Sequence, residues 1–549
     1  MSIAIIIQTI ICAVLFLYAL RLVLLHNMHM FQLNGYKNDE HIRWIRKNFR
    51  QQWLIVFGLI LGTIRMVLPI VWPGVPFYVL LPIDILIYLT LWLVILVYRA
   101  MHRIYSKKKL VLTKRVNRMI FTISLLLVIL LAAGVLAFVY TGRGIAPVNG
   151  LLMILLGLQL IFNIVANVIN SPVEKSINRR FINDAKRMLK NMPDMKIIGV
   201  TGSYGKTSVK FYLQTLLQEF YDVLVTPGNF NTPLGVTRTV REHLKPTHQI
   251  FICEMGARRV GEIKELCDLV HPDYGIITAV GPQHLDTFFS IENIAKTKFE
   301  LADAVPASNK VFLNGDNEYI REKGKEYANA VFYSSGNPDG KNPGDSVSSC
   351  GYRAEDISVS QMGTTFTAVA PNGDKQVFQT RLIGAHNVIN VLGAIAVANS
   401  LGISLKDLVV PVRKIQPVEH RMQINNHGTF TIIDDAYNSN PVGSKAAVET
   451  LAMFDGLRIL ITPGMVELGE KEEEYNRKFG TYAAKCCDYI LTVGKRRAEV
   501  IMEGALSEGF PQAKCKRFDK LEDAMNYAHG IKDEGHKYIL LENDLPDNY

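Results

Sequence analysis

Five long apolar stretches near the N-terminus constrain the fold of this chain more than any other feature. They lie at about 2–24, 53–72, 76–98, 119–140 and 146–169. Each approaches the roughly 20 apolar residues that a helix needs to cross a bilayer. A cleaved signal peptide would explain only the first of them. The sequence therefore predicts an α-helical membrane domain of about five spans over residues 1–170.

The charges of the loops predict how this domain is oriented. Five lysines and arginines lie between the first two spans and eight between the third and fourth, whereas the other two loops carry only Arg143. Because basic loops remain in the cytoplasm, we expect the N-terminus outside and everything after residue 170 inside. The chain is thus predicted to be a multi-pass protein of the plasma membrane with cytoplasmic catalytic domains.

The formal net charge of +10 has a simple origin in these loops. Basic juxtamembrane side chains face anionic lipid headgroups, so membrane lipids are the expected partner and nucleic acid is not. The seven cysteines are scattered and contain no Cys-x-x-Cys pair, so neither a zinc ribbon nor a disulfide framework is indicated.

After a basic connector predicted over 171–195, short apolar runs alternate with helical patterns, which indicates α/β structure with parallel sheets. The runs of a first group lie at 197–200, 223–226, 250–254, 274–280 and 311–314. Those of a second group lie at 429–435, 458–465, 489–493 and 537–542. We therefore predict a central domain over 196–418 and a smaller one over 419–549. The polar stretch 334–349 is expected to be a surface loop.

The segment TGSYGKTS (201–208) has the pattern of a phosphate-binding loop between a strand and a helix. Backbone N–H groups at a helix N-terminus bind phosphate oxygens, and a lysine ammonium reaches the outer phosphates. The general form requires glycine where Val200 stands, so the pattern fits the shorter T-G-[ST]-x-G-K-[ST] variant. Lys206 is predicted to contact phosphate, and the Thr207 hydroxyl to contact Mg²⁺.

Further motifs follow in a fixed order. They are TPGNFNTPLGV (226–236), ICEMGARRVGEI (252–263), GPQHLDTF (281–288), NIAKTKFEL (293–301), LNGDN (313–317), GAHNVINVLGAIAVA (384–398), EHRMQ (419–423) and DDAYNSNP (434–441). With the loop, this order resembles the Mur ligases, ATP-dependent amide-forming enzymes of peptidoglycan precursor synthesis that are related to folylpolyglutamate synthases. The resemblance covers about 195–530. GMVELGE (464–470) brings the chain nearest to the branch that adds D-alanyl-D-alanine.

The resemblance implies roles for individual residues. It assigns Mg²⁺ to Thr207, Glu254 and His284, and it places Lys298 where the family carries a carbamoylated lysine. The implied ATP contacts are Gly202, Ser203, Gly205, Lys206, Thr207, Ser208, Asn314, Asn387, Arg421 and Asp434. The implied substrate contacts are Asn229, Asn231, Tyr437 and Asn438. Singly, such residues are usually solvated or hydrogen-bonded surface groups, so the assignments depend on the ordered motifs. The implied fold is a P-loop central domain followed by a Rossmann-like C-terminal domain.

The implied reaction activates a carboxylate as an acyl phosphate and couples it to an amino acid or dipeptide amine. Two features depart from the family. The five predicted spans replace the domain that grips the UDP end of the substrate, and the C-terminus lacks the Lys-Gly-Ser stretch common in the D-alanyl-D-alanine branch. We therefore expect a lipid-linked or envelope-polymer carboxylate as acceptor. The acidic Glu542, Asp544 and Asp547 favour a solvated tail over an amine pocket.

Other functions remain open at this stage. A synthase that extends a γ-linked glutamate polymer would share these motifs, and its product would be a ladder of masses. An amidating subunit would share them too, but the resemblance leads us to expect a four-cysteine zinc insertion that is missing here. A membrane scaffold that only binds nucleotide is disfavoured by the intact loop lysine and metal-ligand positions. A transporter ATPase is weaker still.

Overall fold

A computed structural model describes residues 3–47, 53–72, 82–83, 85–87, 90, 109–140, 148–335, 351–437, 439–532 and 535–544. The chain forms two compact units, of which the first extends to Arg179 and the second runs from Arg180 to Asp544. We call them the helical unit and the α/β unit.

The helical unit consists of helices that are mostly apolar, apart from the polar α2 and the charged second half of α6. Those described are α1 (Ile3–Leu33), α2 (Asn38–Lys47), α3 (Trp53–Val71), α4 (Lys114–Tyr140), α5 (Val148–Gly157) and α6 (Gln159–Lys190). Helix α5 packs against α1, α3 and α4, and most of its side chains are buried. The predicted connector at 171–195 is largely the second half of α6.

Two helical segments are long and apolar enough to cross a membrane, Ala13–Leu33 and Lys114–Tyr140. The pair α5 and α6, which is bent by 69°, makes a third candidate. The prediction of five spans is therefore corrected to two or three within the described residues. The predicted span at 53–72 contains a shorter apolar helix, Leu59–Leu68, and most of the one at 76–98 lies outside the described residues. Hydropathy counts apolar residues but does not detect a helix break.

The α/β unit begins with a nine-stranded sheet. Its strands are β1 (Lys196–Thr201), β2 (Val223–Val225), β3 (Ile250–Glu254), β4 (Tyr274–Ile277), β5 (Val311–Asn314), β6 (Ala330–Ser334), β7 (Tyr352–Ser360), β8 (Gly363–Val369) and β9 (Lys375–Thr380). Their order is β2-β3-β1-β4-β5-β6-β7-β8-β9, parallel from β2 to β7 and antiparallel from there to β9. The predicted parallel sheet is confirmed. Most of the predicted loop at 334–349 lies outside the described residues.

Helices are packed on this sheet. They are α7 (Lys206–Leu217), α8 (Pro233–His243), α9 (Glu262–Val270), α10 (Leu285–Phe288), α11 (Ile291–Ala304), α12 (Glu318–Gly324), α13 (Ala385–Ser400) and α14 (Val409–Lys414). One apolar core contains side chains of α7 and α13, and another contains side chains of α9 and α11. Such coverage explains why β3 is apolar and buried along most of its length. The carboxyl ends of the parallel strands share one edge, where α/β sheets bind ligands.

A second, six-stranded sheet completes the α/β unit. Its strands are β10 (Gln423–Asn426), β11 (Phe430–Asp435), β12 (Leu457–Thr462), β13 (Tyr489–Val493), β14 (Cys515–Phe518) and β15 (Lys537–Glu542). Their order is β10-β11-β15-β12-β13-β14, and only β10 is antiparallel. The accompanying helices are α15 (Pro441–Leu451), α16 (Glu472–Cys486), α17 (Arg496–Ser507) and α18 (Leu521–Gly530). The predicted second α/β domain is thereby confirmed.

Candidate functional site

The phosphate-loop motif forms the turn between β1 and α7. Gly202 and Gly205 have positive φ angles, and a Cβ atom added to them would lie 2.1 Å from Thr278 Oγ1 and 2.7 Å from Asn390 Oδ1. Ser203 anchors the turn by donating its N–H to the carbonyl after β4 at 2.7 Å. Glycine is therefore required at both positions, and Asn390 is a neighbour of the loop that the sequence reasoning did not identify.

Lys206 begins α7 and folds back over its own loop. Its ammonium donates to Gly202 O at 2.7 Å and to Ser203 O at 3.1 Å. Burial lowers the pKa of Lys206 to about 8, against the attraction of Glu254 and with a smaller contribution from Arg421. A phosphate group would favour the charged form of this ammonium.

Glu254, at the end of β3, connects three parts of the site. Its Oε1 accepts hydrogen bonds from Thr207 Oγ1 at 3.2 Å and from Asn231 Nδ2 at 3.0 Å, and its Oε2 lies 3.0 Å from Lys210 Nζ. Burial raises the pKa of Glu254, but Lys210, Lys206 and Asn231 together outweigh burial and hold it below its usual value. The carboxylate is therefore ionised at neutral pH.

Oxygen ligands of this kind suit Mg²⁺. The Thr207 hydroxyl and the Glu254 carboxylate are adjacent, and Mg²⁺ is commonly held by one or two carboxylates together with substrate phosphates. The described residues contain no group of three or more His, Cys, Asp or Glu side chains arranged to hold a metal. A divalent ion here would therefore depend on these two residues and on phosphate oxygens.

Lys210 is a residue of this site that the sequence reasoning missed. Its fully buried ammonium also donates to Thr226 O at 2.9 Å and Gly228 O at 2.6 Å, so it ties the loop after β2 to Glu254. One signal for it exists in the sequence. A lysine stands four residues after Lys206, hence on the same face of a helix that is otherwise largely buried. A buried ammonium requires a buried acid, which predicts the pairing.

Lys298 lies on α11 with 2% of its surface exposed. Burial lowers the pKa of Lys298 well below its ordinary value, and the nearby charge of Lys206 lowers it further. Burial therefore favours the uncharged amine, which is the form that reacts with CO₂.

His284 contacts the second α/β domain. Its Nδ1 meets the carboxylate of Glu467, which also accepts a hydrogen bond from Arg258 at 3.1 Å. The carbonyl of Glu467 accepts the N–H of Leu285 at 3.0 Å. Burial lowers the pKa of His284 despite its bond with Glu467. The structure thus brings Thr207 and Glu254 together and places His284 against Glu467.

Two asparagines predicted to contact ATP have protein partners. Asn314 donates to Thr278 O at 2.8 Å. Asn387 accepts a hydrogen bond from the Tyr212 hydroxyl at 3.1 Å and donates to Ile383 O at 2.9 Å. These bonds fix the end of β5 and the start of α13. Ser208 is buried on α7, and its predicted nucleotide contact stays a prediction.

The segment after α14 brings further predicted residues to the phosphate loop. The Arg421 guanidinium lies 4.6 Å from the centre of the Tyr437 ring. The Asp434 carboxylate oxygen Oδ2 lies 2.7 Å from Nδ1 of His420 in the same segment. A cavity of about 540 Å³ opens between α7 and this segment, and Thr207 lies in its wall. The other lining residues include Phe211, Gly228, Asn229, Val418, His420 and Tyr437. Asn438 lies outside the described residues.

The acidic C-terminus differs from the expectation. Glu542 is not in a solvated tail, because it ends β15 and is 1% exposed. It accepts hydrogen bonds from Ser444 at 2.6 Å, Thr462 at 2.7 Å and Ser439. Sequence alone did not reveal that strand β15 carries this carboxylate inward. Asp547 lies outside the described residues.

Comparison with known proteins covers both halves of the α/β unit. Residues 200–398 match the family model for the Mur ligase middle domain, and residues 420–541 match the one for the Mur ligase, glutamate ligase domain. The UDP-N-acetylmuramoyl-tripeptide--D-alanyl-D-alanine ligase of Bacillus subtilis is 30% identical over 350 residues, covering 63% of this chain and 72% of that protein. The Escherichia coli ligase of the same name is 30% identical over 318 residues, which cover 57% of this chain and 68% of that protein. A crystal structure of MurF from Acinetobacter baumannii aligns with a TM-score of 0.59 at 25% identity. The alignment covers 67% of this chain and 77% of the MurF chain.

Proposed function

Because the chain belongs to the Mur ligase family of ATP-dependent, C–N bond-forming enzymes, we propose that it is a membrane-anchored amide ligase of cell-envelope synthesis. ATP phosphorylates a carboxylate to an acyl phosphate, and an amino acid or dipeptide amine then displaces inorganic phosphate. The relatives' names point to D-alanyl-D-alanine as such an amine. The observation that carries this proposal is the meeting of Lys206, Thr207 and Glu254 at the carboxyl edge of the sheet.

The chain's own residues supply the electrostatics of this step. The loop backbone and the N-terminus of α7 face the transferring phosphate, and Lys206 brings a positive charge that spreads over its oxygens. Thr207 and Glu254 would hold Mg²⁺, which neutralises further phosphate charge when bound. The cavity beside Thr207 offers space for the nucleoside.

Lys298 is proposed to act as a carbamate. Its uncharged amine would add to CO₂, form an N–C bond and release a proton, so that a neutral buried side chain becomes an anion. Such an anion would attract a cation and would offset the positive charge of Lys206, which acts on Lys298. His284 is proposed to serve the same centre, with its ring oriented by Glu467.

The two α/β domains enclose the reaction. Arg421 and Tyr437 come from the segment that leads into the second domain, and Glu467 reaches Arg258 and His284 of the first. Closure around ATP excludes water, which would otherwise hydrolyse the acyl phosphate.

The acceptor carboxylate is proposed to lie at the membrane. The helical unit contains two or three helices long and apolar enough to cross a bilayer, and the basic loops favour a cytoplasmic α/β unit. A lipid-linked peptide or an envelope polymer would present its carboxylate at the cytoplasmic face.

The test is ADP and phosphate release by the full chain in lipid nanodiscs. Soluble and lipid-linked carboxylates are combined with a panel of amines, and the products are identified by mass. Lys206→Ala is the inactive blank, and Lys296→Ala, on an exposed position of α11, is the matched control. Release that requires both co-substrates and yields acceptor plus amine minus water supports the proposal. Turnover only with a soluble UDP-muramoyl peptide refutes the membrane acceptor.

A further inference from the structure

A row of amide side chains runs along one face of α6 in the helical unit. It consists of Gln159, Asn163, Asn167 and Asn170, and we call it the amide row. Spacings of four, four and three residues place its members on the same helix face. The row begins directly after Leu158, where α5 and α6 are bent by 69°.

Both members of the lower half of the amide row have protein partners, although the Nδ2 of Asn170 finds none among the described residues. Asn167 Nδ2 donates to Tyr36 O at 3.2 Å and to Asn38 Oδ1 at 2.9 Å. Its Oδ1 accepts a hydrogen bond from Arg115 at 3.1 Å. Asn170 Oδ1 accepts the Thr122 hydroxyl at 3.0 Å. These bonds join α6 to α4 and to the segment between α1 and α2.

The upper half is different. Gln159 and Asn163 have no exposed surface, and neither the oxygen nor the nitrogen of either amide finds a hydrogen-bond partner in the described part of the chain. Burying an unpaired amide costs free energy, and among apolar helices no bulk water offsets this cost. Leucine would be cheaper at both positions. Polar groups kept at a cost in stability are typical of binding sites.

We propose that Gln159 and Asn163 bind the polar headgroup of a lipid, and that this lipid carries the acceptor carboxylate. The second clause rests on the proposed function. Each uncharged amide offers both a donor and an acceptor, which fits hydroxyl and amide groups of a headgroup. Such groups occur on glycosyl-diphosphoryl polyprenols and, as hydroxyls, on phosphatidylglycerol.

Arg115 completes the recognition at the lower end of the amide row. Its Nε finds no partner among the described residues, and its guanidinium lies 4.1 Å from the centre of the Tyr36 ring. A guanidinium is well suited to the phosphate that links headgroup to lipid. From Asn167, which Arg115 contacts, to Gln159 is eight residues, or about 12 Å along a helix. The headgroup therefore extends from Arg115 toward the helix break.

This proposal predicts opposite effects for two chemically identical substitutions. Asn163→Leu removes unpaired amide groups and should raise the melting temperature of the full chain in phosphatidylcholine nanodiscs. Asn167→Leu, one turn away on the same face, removes three hydrogen bonds and should lower it. A merely structural amide row would give a lower melting temperature for both.

Lipid binding is measured in the same nanodiscs after adding a glycosyl-diphosphoryl polyprenol or phosphatidylglycerol. Wild type should be stabilised by the polyprenol lipid, and Asn163→Leu and Gln159→Leu should each bind it about tenfold more weakly. Equal stabilisation by phosphatidylglycerol would keep the headgroup site but overturn its assignment to the acceptor. Stabilisation by neither lipid, or unchanged binding in both variants, would overturn the site.

ADP release separates this proposal from the proposed function. If the leucine variants bind lipid normally and turn over a lipid-linked carboxylate normally, the site is refuted and the ligase proposal stands. If wild type binds the polyprenol lipid but releases ADP only with soluble carboxylates, the membrane acceptor is refuted.

Discussion

Replacing Lys210 with methionine tests the central electrostatic pairing of the site. The substitution keeps the length and apolar stem of the side chain but removes its ammonium. Glu254 then retains a buried negative charge without its nearest partner, and the carbonyls of Thr226 and Gly228 each lose a donor. The reference is the double variant Lys210→Met/Glu254→Gln, in which both charges are absent.

The expected magnitude follows from burial. Lys210 and Glu254 have side chains that are 0% and 2% exposed. Removing one member of such a pair costs about 3–5 kcal/mol because the other charge stays buried. At the lower limit of about 2 °C per kcal/mol for a large domain, the melting temperature of the α/β unit should fall by about 6–10 °C. The double variant should recover most of this loss.

The measurement is thermal unfolding of the full chain in nanodiscs, read as a double-mutant cycle over the two single variants and the double variant. Lys264→Met is the matched control, because Lys264 pairs with Asp268 at the surface, where such a pair contributes about 1 kcal/mol or less. A Lys210→Met protein as stable as the control would refute the reasoning. So would a double variant that is no more stable than Lys210→Met.

Three further predictions concern proton and CO₂ chemistry. The ATP affinity of the wild type should fall about tenfold per pH unit above pH 8, because phosphate binds the charged form of Lys206. Calorimetric titration of ATP at several pH values checks this. The affinity of Lys206→Ala should show no such fall with pH. Ligase turnover should fall in CO₂-depleted buffer and return with bicarbonate, whereas Lys298→Ala stays inactive in both and Lys296→Ala follows wild type. Burial, with the charge of Glu542, raises the pKa of Asp435 to about 7, so its contribution to stability is full below the unfolded value of about 4 and is lost as pH rises through 7. Melting curves of Asp435→Asn against pH should lack this fall, and a fall of wild-type size would contradict it.

The α/β architecture was predictable from sequence because each parallel strand is an apolar run bounded by turns. The helical unit was less predictable. Residues 146–169 form one apolar stretch in the sequence, but the structure divides it at Leu158 into α5 and α6. Hydropathy responds to composition and does not register this break, nor does it show that Gly62 and Gly150 let α3 and α5 approach closely. A Cβ on Gly150 would lie 2.4 Å from Met66 N.

The residues of the site likewise divide into those that the sequence predicts and those that it does not. Lys206 and Thr207 were identified because the loop is local, with its spacing set by one turn and one helix N-terminus. Lys210 and Glu542 were missed or misassigned because their roles depend on partners far away in the chain. Glu254 lies 44 residues beyond Lys210, and Thr462 lies 80 residues before Glu542. Charge and residue type are visible in a sequence, but burial and pairing are produced by the fold.

The distribution of charge around Glu254 explains why this edge of the sheet suits a polyanion. Lys206, Lys210 and Arg421 lie around one buried carboxylate. Burial lowers the pKa of Lys206 and of Lys210, the attraction of Glu254 opposes this, and the positive charge of Arg421 adds a smaller lowering. Such crowding of positive charges destabilises the protein when no nucleotide is bound. A triphosphate removes the repulsion by placing negative charge among the cations, so part of the nucleotide's binding energy is the relief of strain already present in the free enzyme. Lys210 is paired with Glu254, which leaves Lys206 and Arg421 as the cations available to phosphate.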